Sequence, residues 1–515
     1  MKQEKYIATL DAGTSSVRTI IVNKEGKIVS SNQLEFTQIF PKAGWVEHNP
    51  IEIWNAQRTT FIQALNSNNI MTEQIIGVGV TNQRETIVVW NKNTGLPIYN
   101  AIVWQDQRTS GICQKLIGSD KEEIIRKKTG LVIAPYFSAT KLQWILDNVK
   151  GARELANKGE LLCGTIDTWL MWKFSNHQIY ATDVTNASRT MLFNIHTLTW
   201  DDELLQIFNI PKNILPEVKS SSEVYGIINS NLLDRSSKVE IPITSAIGDQ
   251  QAALFGQLCT NIGDVKNTYG TGSFILMNVG ENPVPSKNGL LTTIALKLNG
   301  KVTYALEGSV FVAGAAVQWL RDQLKVIYHS SETEWYANLA SKENDQRIYV
   351  VPSFTGMGSP YWDSYARGAI FGLERATKRE HIVKATLEGI VYQVSDVITA
   401  MIDDLKTFGL KEKLNLIKVD GGATNNNYLM QFQSNISRCQ VQRPKNIEST
   451  AMGATFLAGL AINFWDESQL NSLIEIDKLW ESNISLKESN RLIHGWKVAV
   501  SRTRNWTKDL EGENT

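Results

Sequence analysis

YIATLDAGTSSVRTIIV, from Tyr6 to Val22, decides how this chain is read. Two apolar, partly β-branched runs, Tyr6 to Leu10 and Val17 to Val22, flank Asp11-Ala12-Gly13-Thr14-Ser15-Ser16. Such runs, separated by Gly and hydroxyl residues, predict two strands joined by a turn. A third strand, Lys27 to Glu35, follows a turn at Glu25-Gly26. The first turn puts a carboxylate at a strand end, then a residue without a side chain, then three hydroxyls, with Arg18 just beyond. Gly13 lets backbone N–H groups come close to an anion, the hydroxyls donate further bonds, and Arg18 brings positive charge, so the tip suits a phosphate. Asp11 suits Mg²⁺, a hard cation that prefers carboxylates and keeps much of its water. An ordinary Asp-Gly hairpin reads the same way in isolation.

Working outward, Asn49, Pro50 and Glu52 form a helix start, and Ile51, Trp54, Phe61 and Leu65 then share one face. Ile75 to Thr81 and Thr86 to Trp90 read as strands around the polar turn Asn82-Gln83-Arg84-Glu85. The same order of elements returns in the second half. Asp264 to Tyr269, the turn Gly270-Thr271-Gly272 and Ser273 to Val279 form a second glycine-tipped hairpin. Leu290 to Leu298 and Val302 to Leu306 pair through Asn299-Gly300, a strong hairpin signal, and a helix is expected over 309–324. Thr377 and Glu380 suggest a capping box for a long helix ending at Gly409, and Leu414 to Val419 reads as a strand running into Asp420-Gly421-Gly422. The expected class is α/β, with two duplicated domains, 1–254 and 255–515, meeting at a cleft, and a polar helical tail after about residue 470.

Composition narrows the function. The 515 residues carry 52 basic and 52 acidic side chains, so the surplus of positive charge that nucleic acid or an anionic membrane demands is missing. Four scattered cysteines encode neither a disulfide framework nor a thiolate zinc site, and six histidines lack metal-ligand spacing. The longest uncharged stretch, 449–464, falls short of a bilayer span and reads as a buried helix. MKQEKY leaves no room for a signal peptide and GENT matches no lipidation signal, so a cytoplasmic protein without an integral membrane segment is expected.

Further residues carry chemistry. Asp249 ends an apolar strand and opens a helix, where a carboxylate either caps or acts as a base. Arg84 and Glu85 suit adjacent hydroxyls, one donating and the other accepting, although an exposed salt-linked turn has the same composition. Trp104 and Tyr136 offer ring faces to the C–H side of a polyol or pack in a core. Asp420-Gly421-Gly422 leaves backbone bare for a base or ribose, or is a plain turn. No G-x-x-x-x-G-K-[ST] run and no protein-kinase motif occurs.

Taken in order, DAGTSS, NQRE, WQDQRT, GDQQAALFG, YGTGSF, FTGMGSPYWD and DGGATNNN resemble the FGGY carbohydrate-kinase family, over residues 6 to about 465. The segment Gly368 to Gly389 is similar to a further signature of that family. The resemblance implies an actin-like, ribonuclease-H-like duplicated fold and ATP-dependent phosphorylation of glycerol in the interdomain cleft. Asp249 is then similar to the general base. Implied acceptor contacts are Thr14, Arg84, Glu85, Trp104, Tyr136, Asp249, Gln250 and Phe274. Implied nucleotide contacts are Thr14, Ser15, Ser16, Arg18, Thr271, Gly314, Gln318, Gly422 and Asn426, with Asp11 and Asp249 near Mg²⁺. The family also implies a homodimer or homotetramer. Two readings stay open beside this one: another acceptor such as xylulose or gluconate, and a non-catalytic actin-like nucleotide switch. One departure is that 225–240 holds no histidine, where some members carry a regulatory one.

Overall fold

The computed structural model describes residues 4–341, 347–410, 414 and 416–511. The first hairpin forms as expected, with strands β1 (Tyr6–Ala12), β2 (Ser16–Val22) and β3 (Ile28–Glu35). Helix α1 (Pro50–Ser67) starts where the sequence signals it, Asn49 Oδ1 accepting from the Ile51 N–H at 2.9 Å. Strands β4 (Ile75–Asn82), β5 (Ser222–Ile228) and β6 (Ile241–Gly248) complete a six-stranded sheet in the order β5-β6-β4-β1-β2-β3. Within it β1, β4 and β6 run parallel, while β2 is antiparallel to both neighbours.

The second sheet repeats that plan. Strands β7 (Val265–Tyr269), β8 (Ser273–Gly280), β9 (Leu291–Leu298), β10 (Lys301–Val310), β11 (Leu416–Asp420), β12 (Gln440–Pro444) and β13 (Ile476–Trp480) lie in the order β9-β10-β8-β7-β11-β12-β13. Here β7, β11 and β12 are parallel and β8 is antiparallel to β7 and β10. Thus β10-β8-β7-β11-β12 reproduces β3-β2-β1-β4-β6. The element-order repetition read from the chain is a repetition of topology.

Helix α2 (Ser138–Asn148) lies in the long insertion between β4 and β5, and α3 (Asp249–Gly256) leaves β6 directly. Helices α4 (Gly314–Asp322), α5 (Glu332–Ala340), α6 (Arg379–Thr407) and α7 (Asn427–Ser437) accompany the second sheet. Helix α8 (Ser449–Ala461) is buried nearly throughout, as its lack of charge predicts. Although it follows β12 in the chain, it packs on the first sheet: Thr455 Oγ1 meets Thr9 Oγ1 at 2.7 Å, and Ser245 Oγ donates to the Ala454 carbonyl at 2.8 Å.

Several expectations need correction. The helix expected over 309–324 begins only at Gly314, because β10 continues to Val310 and pairs with Ser273. The strand expected at Thr86 begins at Val88, after a tight turn in which the Thr86 N–H donates to the Arg84 carbonyl. The long helix is entered not through Thr377 and Glu380 but at Lys378, whose N–H donates to His381 Nδ1 at 3.0 Å. The region after 470 is not purely helical: β13 extends the sheet, and α9 (Leu486–Thr503) buries Trp496, Ala499 and Val500. Burial of those apolar groups ties this region to the second core instead of leaving it a solvated tail. Of the expected strand from Leu414, Asn415 lies outside the described residues, as do the first three residues and GENT. Among the described residues no helix is long and apolar enough to cross a membrane.

Candidate active site in the interdomain cleft

The first-sheet turns and the second-sheet hairpins face each other. Asp249 is the first residue of α3, yet Gly248 is the N-cap, so this carboxylate is not used as the cap. Its Oδ1 accepts from the Gln250 N–H at 2.6 Å and faces Arg84 Nε at 3.2 Å. Among the described residues nothing donates to Oδ2, and the side chain keeps 27 % of its surface open. Desolvation by the surrounding walls pushes the Asp249 carboxyl up, Arg84 and Lys266 oppose that rise, and Asp11 adds to it.

Arg84 is held on several sides. Its fork reaches Glu307 of β10 at 2.7 and 2.8 Å, and Nη1 also donates to Gln251 Oε1 at 3.1 Å. Arg189 bridges Glu85 at 2.5 Å and Glu307 at 3.2 Å. Burial alone would raise the Glu307 carboxyl, but Arg189 and Arg84 outweigh it and bring it down to about 2. Glu85 sits at φ 61°, a left-handed conformation uncommon for a residue with a side chain and typical of strained functional turns. Burial raises its carboxyl despite Arg189 and Arg84.

Aromatic rings border this charged cluster, the Arg189 guanidinium lying 5.6 Å from the centre of the Tyr136 ring. Trp104 stands edge-on to Tyr136 at 5.6 Å and to Phe274 of β8 at 6.2 Å, and its indole N–H donates to Thr14 Oγ1 at 3.0 Å. All eight expected acceptor residues therefore converge: Thr14, Trp104, Tyr136 and Phe274 through one set of contacts, Arg84, Glu85, Asp249 and Gln250 through another.

The expected nucleotide residues divide. Thr271, Gly314, Gln318, Gly422 and Asn426 line a single cavity of about 480 Å³ in the second domain. Gly421, at φ 89°, turns the chain over the Tyr269 carbonyl, and a Cβ on Gly422 would meet nothing within 4 Å, so bare backbone faces open space. Asn426 caps α7 through the Leu429 N–H and donates to Thr333 Oγ1 at 3.1 Å. Thr14, Ser15, Ser16 and Arg18 lie outside that cavity, on the first-domain hairpin. Ser16 Oγ accepts from Gln33 at 2.9 Å, and Arg18 is already paired with Asp11 at 3.0 Å and Glu448 at 2.5 Å. The positive charge expected there for phosphate is thus neutralised within the protein.

Residues 6–256 match the N-terminal domain of the FGGY family of carbohydrate kinases, and residues 265–462 match its C-terminal domain. The chain belongs to this family. Glycerol kinase of Mycoplasmoides gallisepticum is 58% identical over 513 residues, 99% of this chain and 100% of that protein. Glycerol kinase of Clostridium botulinum (strain Langeland) is 55% identical, covering 98% of this chain and 99% of its own. The crystal structure of Plasmodium falciparum glycerol kinase with ADP superposes with a TM-score of 0.90 at 37% identity, over 97% of this chain and 98% of that one. A xylulose kinase from Lactobacillus acidophilus, at 22% identity and TM-score 0.86 over 98% of this chain and 99% of its own, shares the fold.

In this FGGY kinase, sequence reasoning missed Glu307, Arg189 and Lys266, all fully buried charges. None belongs to a motif read above. The available signal was a charge inside an apolar strand, in VKNTY for Lys266 and ALEG for Glu307, which alternation alone assigns to a solvated face. Asp11 and Asp249 are the residues expected near a cation. Among the described residues no three carboxylate, His or Cys groups form a metal cage. Asp11 pairs with Thr81 of β4, and Thr81 with Ile247 of β6, two residues before Asp249, so both carboxylates stand at the same end of the first sheet, a donor set that fits Mg²⁺ sharing its shell with water and phosphate.

Proposed function

We propose that this FGGY kinase transfers the γ-phosphoryl group of ATP to glycerol, forming sn-glycerol 3-phosphate and ADP. The observation that carries the reading is Asp249, steered by Arg84 at 3.2 Å with Oδ2 left available, in a charged cluster that the Tyr136 ring borders. Relatives that are 55–58% identical along nearly their whole length and named glycerol kinase supply the acceptor. Xylulose and gluconate kinases share the fold at 22% identity, which says nothing of the acceptor.

Asp249 Oδ2 takes the proton of a glycerol hydroxyl as its oxygen attacks the γ-phosphorus, and the bond to the β,γ-bridging oxygen breaks to release ADP. Phosphoryl transfer asks mainly for in-line positioning and charge neutralisation. Arg84 and Glu85 engage the other hydroxyls, while Trp104, Tyr136 and Phe274 cover the C–H side and exclude water. The 480 Å³ cavity receives the nucleotide, with Thr271, Gly314, Gln318, Gly422 and Asn426 around it, and the hairpin from Thr14 through Ser15 and Ser16 to Arg18 borders the phosphates. Asp11 and Asp249 would stand nearest Mg²⁺, whose charge would offset that of the phosphates when it is bound. The two functional halves, 1–254 and 255–515, close on the substrates, in a cytoplasmic homodimer or homotetramer. ADP release measured across a panel of polyols tests the assignment: glycerol should give the highest kcat/KM, and a preference for xylulose or gluconate, or ADP release independent of any acceptor, would refute it.

A further inference from the structure

Lys266 of β7 is fully buried, belongs to no family motif read above, and has no part in the reaction as just written. Its ammonium donates to Gln250 Oε1 and, at 2.9 Å, to Thr268 Oγ1. Charged groups face it from every side: Asp249 from α3, Arg84 from the turn after β4, Glu307 from β10 and Asp420 from β11. It forms no direct ion pair within 4.0 Å among the described residues, so its defined contacts are the Gln250 amide and a hydroxyl.

An ammonium has three donors and no acceptor, whereas a glutamine amide has one accepting and one donating end. Lys266 therefore admits only one orientation of Gln250, oxygen inward and nitrogen outward. Among the described residues nothing accepts from Gln250 Nε2, and that atom is not among the sealed, unsatisfied polar groups, so it reaches the open cleft beside Asp249. The first two residues of α3 then present complementary groups, a carboxylate oxygen that accepts and an amide nitrogen that donates.

We propose that Lys266 is a positioning residue: by holding Gln250 Oε1 it fixes Nε2 as a hydrogen-bond donor to an oxygen of the acceptor alcohol. This deepens the glycerol-kinase reading and rests on it. It differs from a purely structural role because it acts on one substrate through one side chain.

Steady-state kinetics with glycerol and ATP varied separately supply the test, on full-length protein of verified thermal stability. Lys266→Met should raise glycerol KM at least fivefold and leave ATP KM within twofold. On a Gln250→Ala background the same substitution should change glycerol KM by less than twofold, because its route is gone. Lys266→Arg, which still donates, should restore most of the affinity. Equal increases in both KM values, or the same glycerol penalty with and without Gln250, would overturn the proposal. Should Lys266→Met not fold, Gln250→Glu decides instead: it preserves the inward acceptor but puts oxygen where the donor stood, so glycerol KM should rise at least tenfold, and a change below twofold would sink the idea. Wild-type protein without glycerol-dependent ADP release refutes the functional reading itself, whereas active wild type with the wrong pattern in the variants refutes only the role of Lys266.

Discussion

At the scale of single residues, Asp249 has the most exacting task. With Oδ1 taken by Arg84 and the Gln250 N–H, the carboxylate has one oxygen with which to accept a proton. Asp249→Asn keeps the shape and removes that basicity, so kcat should fall by at least about 10²-fold, the lower end for loss of a general base. Stopped or coupled ADP assays measure this directly, and near-normal turnover would remove Asp249 from the role. His48 makes a different prediction. Burial pushes its imidazole down to about 4, and the ring joins a network of Gln38 and Gln83 that also holds the Gly13 and Thr14 carbonyls. Its folded pKa lies below the unfolded value of 6.5, so the unfolded chain takes up the proton first as the pH falls. The stability it contributes is complete above about pH 6.5 and is lost toward pH 4, on the order of 3 kcal/mol in all. Urea unfolding midpoints between pH 7 and 5 should fall more steeply for wild type than for His48→Gln.

At the scale of elements, the crossing of α3 and α8 couples the catalytic helix to the second half of the chain. A Cβ on Gly453 would lie 1.9 Å from the Ala252 carbonyl oxygen, and one on Gly256 2.0 Å from that of Ser449. Backbone, not a flexible side chain, stands in the way, so the helices must part. Gly453→Ala is therefore expected to destabilise by about 1–3 kcal/mol, as overpacking does, outweighing the better helix propensity of alanine. Because α3 carries Asp249, kcat should fall as well; differential scanning calorimetry and kinetics on one preparation check both. The elements themselves were unevenly legible. Helix α1 was readable because its start is a local signal of cap and proline, whereas the entry to the long helix was not. Thr377 and Glu380 have the right spacing, but the folded chain uses His381, whose ring is pinned by burial. The extension of β10 to Val310 was likewise unreadable, since only the partner strand β8 supplies the hydrogen bonds that continue it.

At the scale of the whole molecule, Glu307 joins the halves. It comes from the second sheet and grips Arg84 and Arg189 of the first half, with no solvent exposure. Removing one partner of a buried ion pair leaves uncompensated charge, which typically costs about 3–5 kcal/mol. Glu307→Gln should lower the thermal midpoint accordingly and, by releasing Arg84, raise glycerol KM more than ATP KM. An unchanged midpoint would show that the cluster tolerates the lost charge.

The two glycine-tipped hairpins, their recurrence in each half, and the carboxylate at the start of α3 were all decided by the sequence itself. Strand alternation, turn chemistry and helix caps act between residues a few positions apart, so they survive in a one-dimensional reading. Tertiary structure alone decided that α8 crosses to the first sheet, that Arg18 spends its charge on Asp11 and Glu448, and that Lys266 and Glu307 point inward. Burying a charge is unfavourable unless partners from distant segments compensate it, and those partners are brought together only when the two sheets meet.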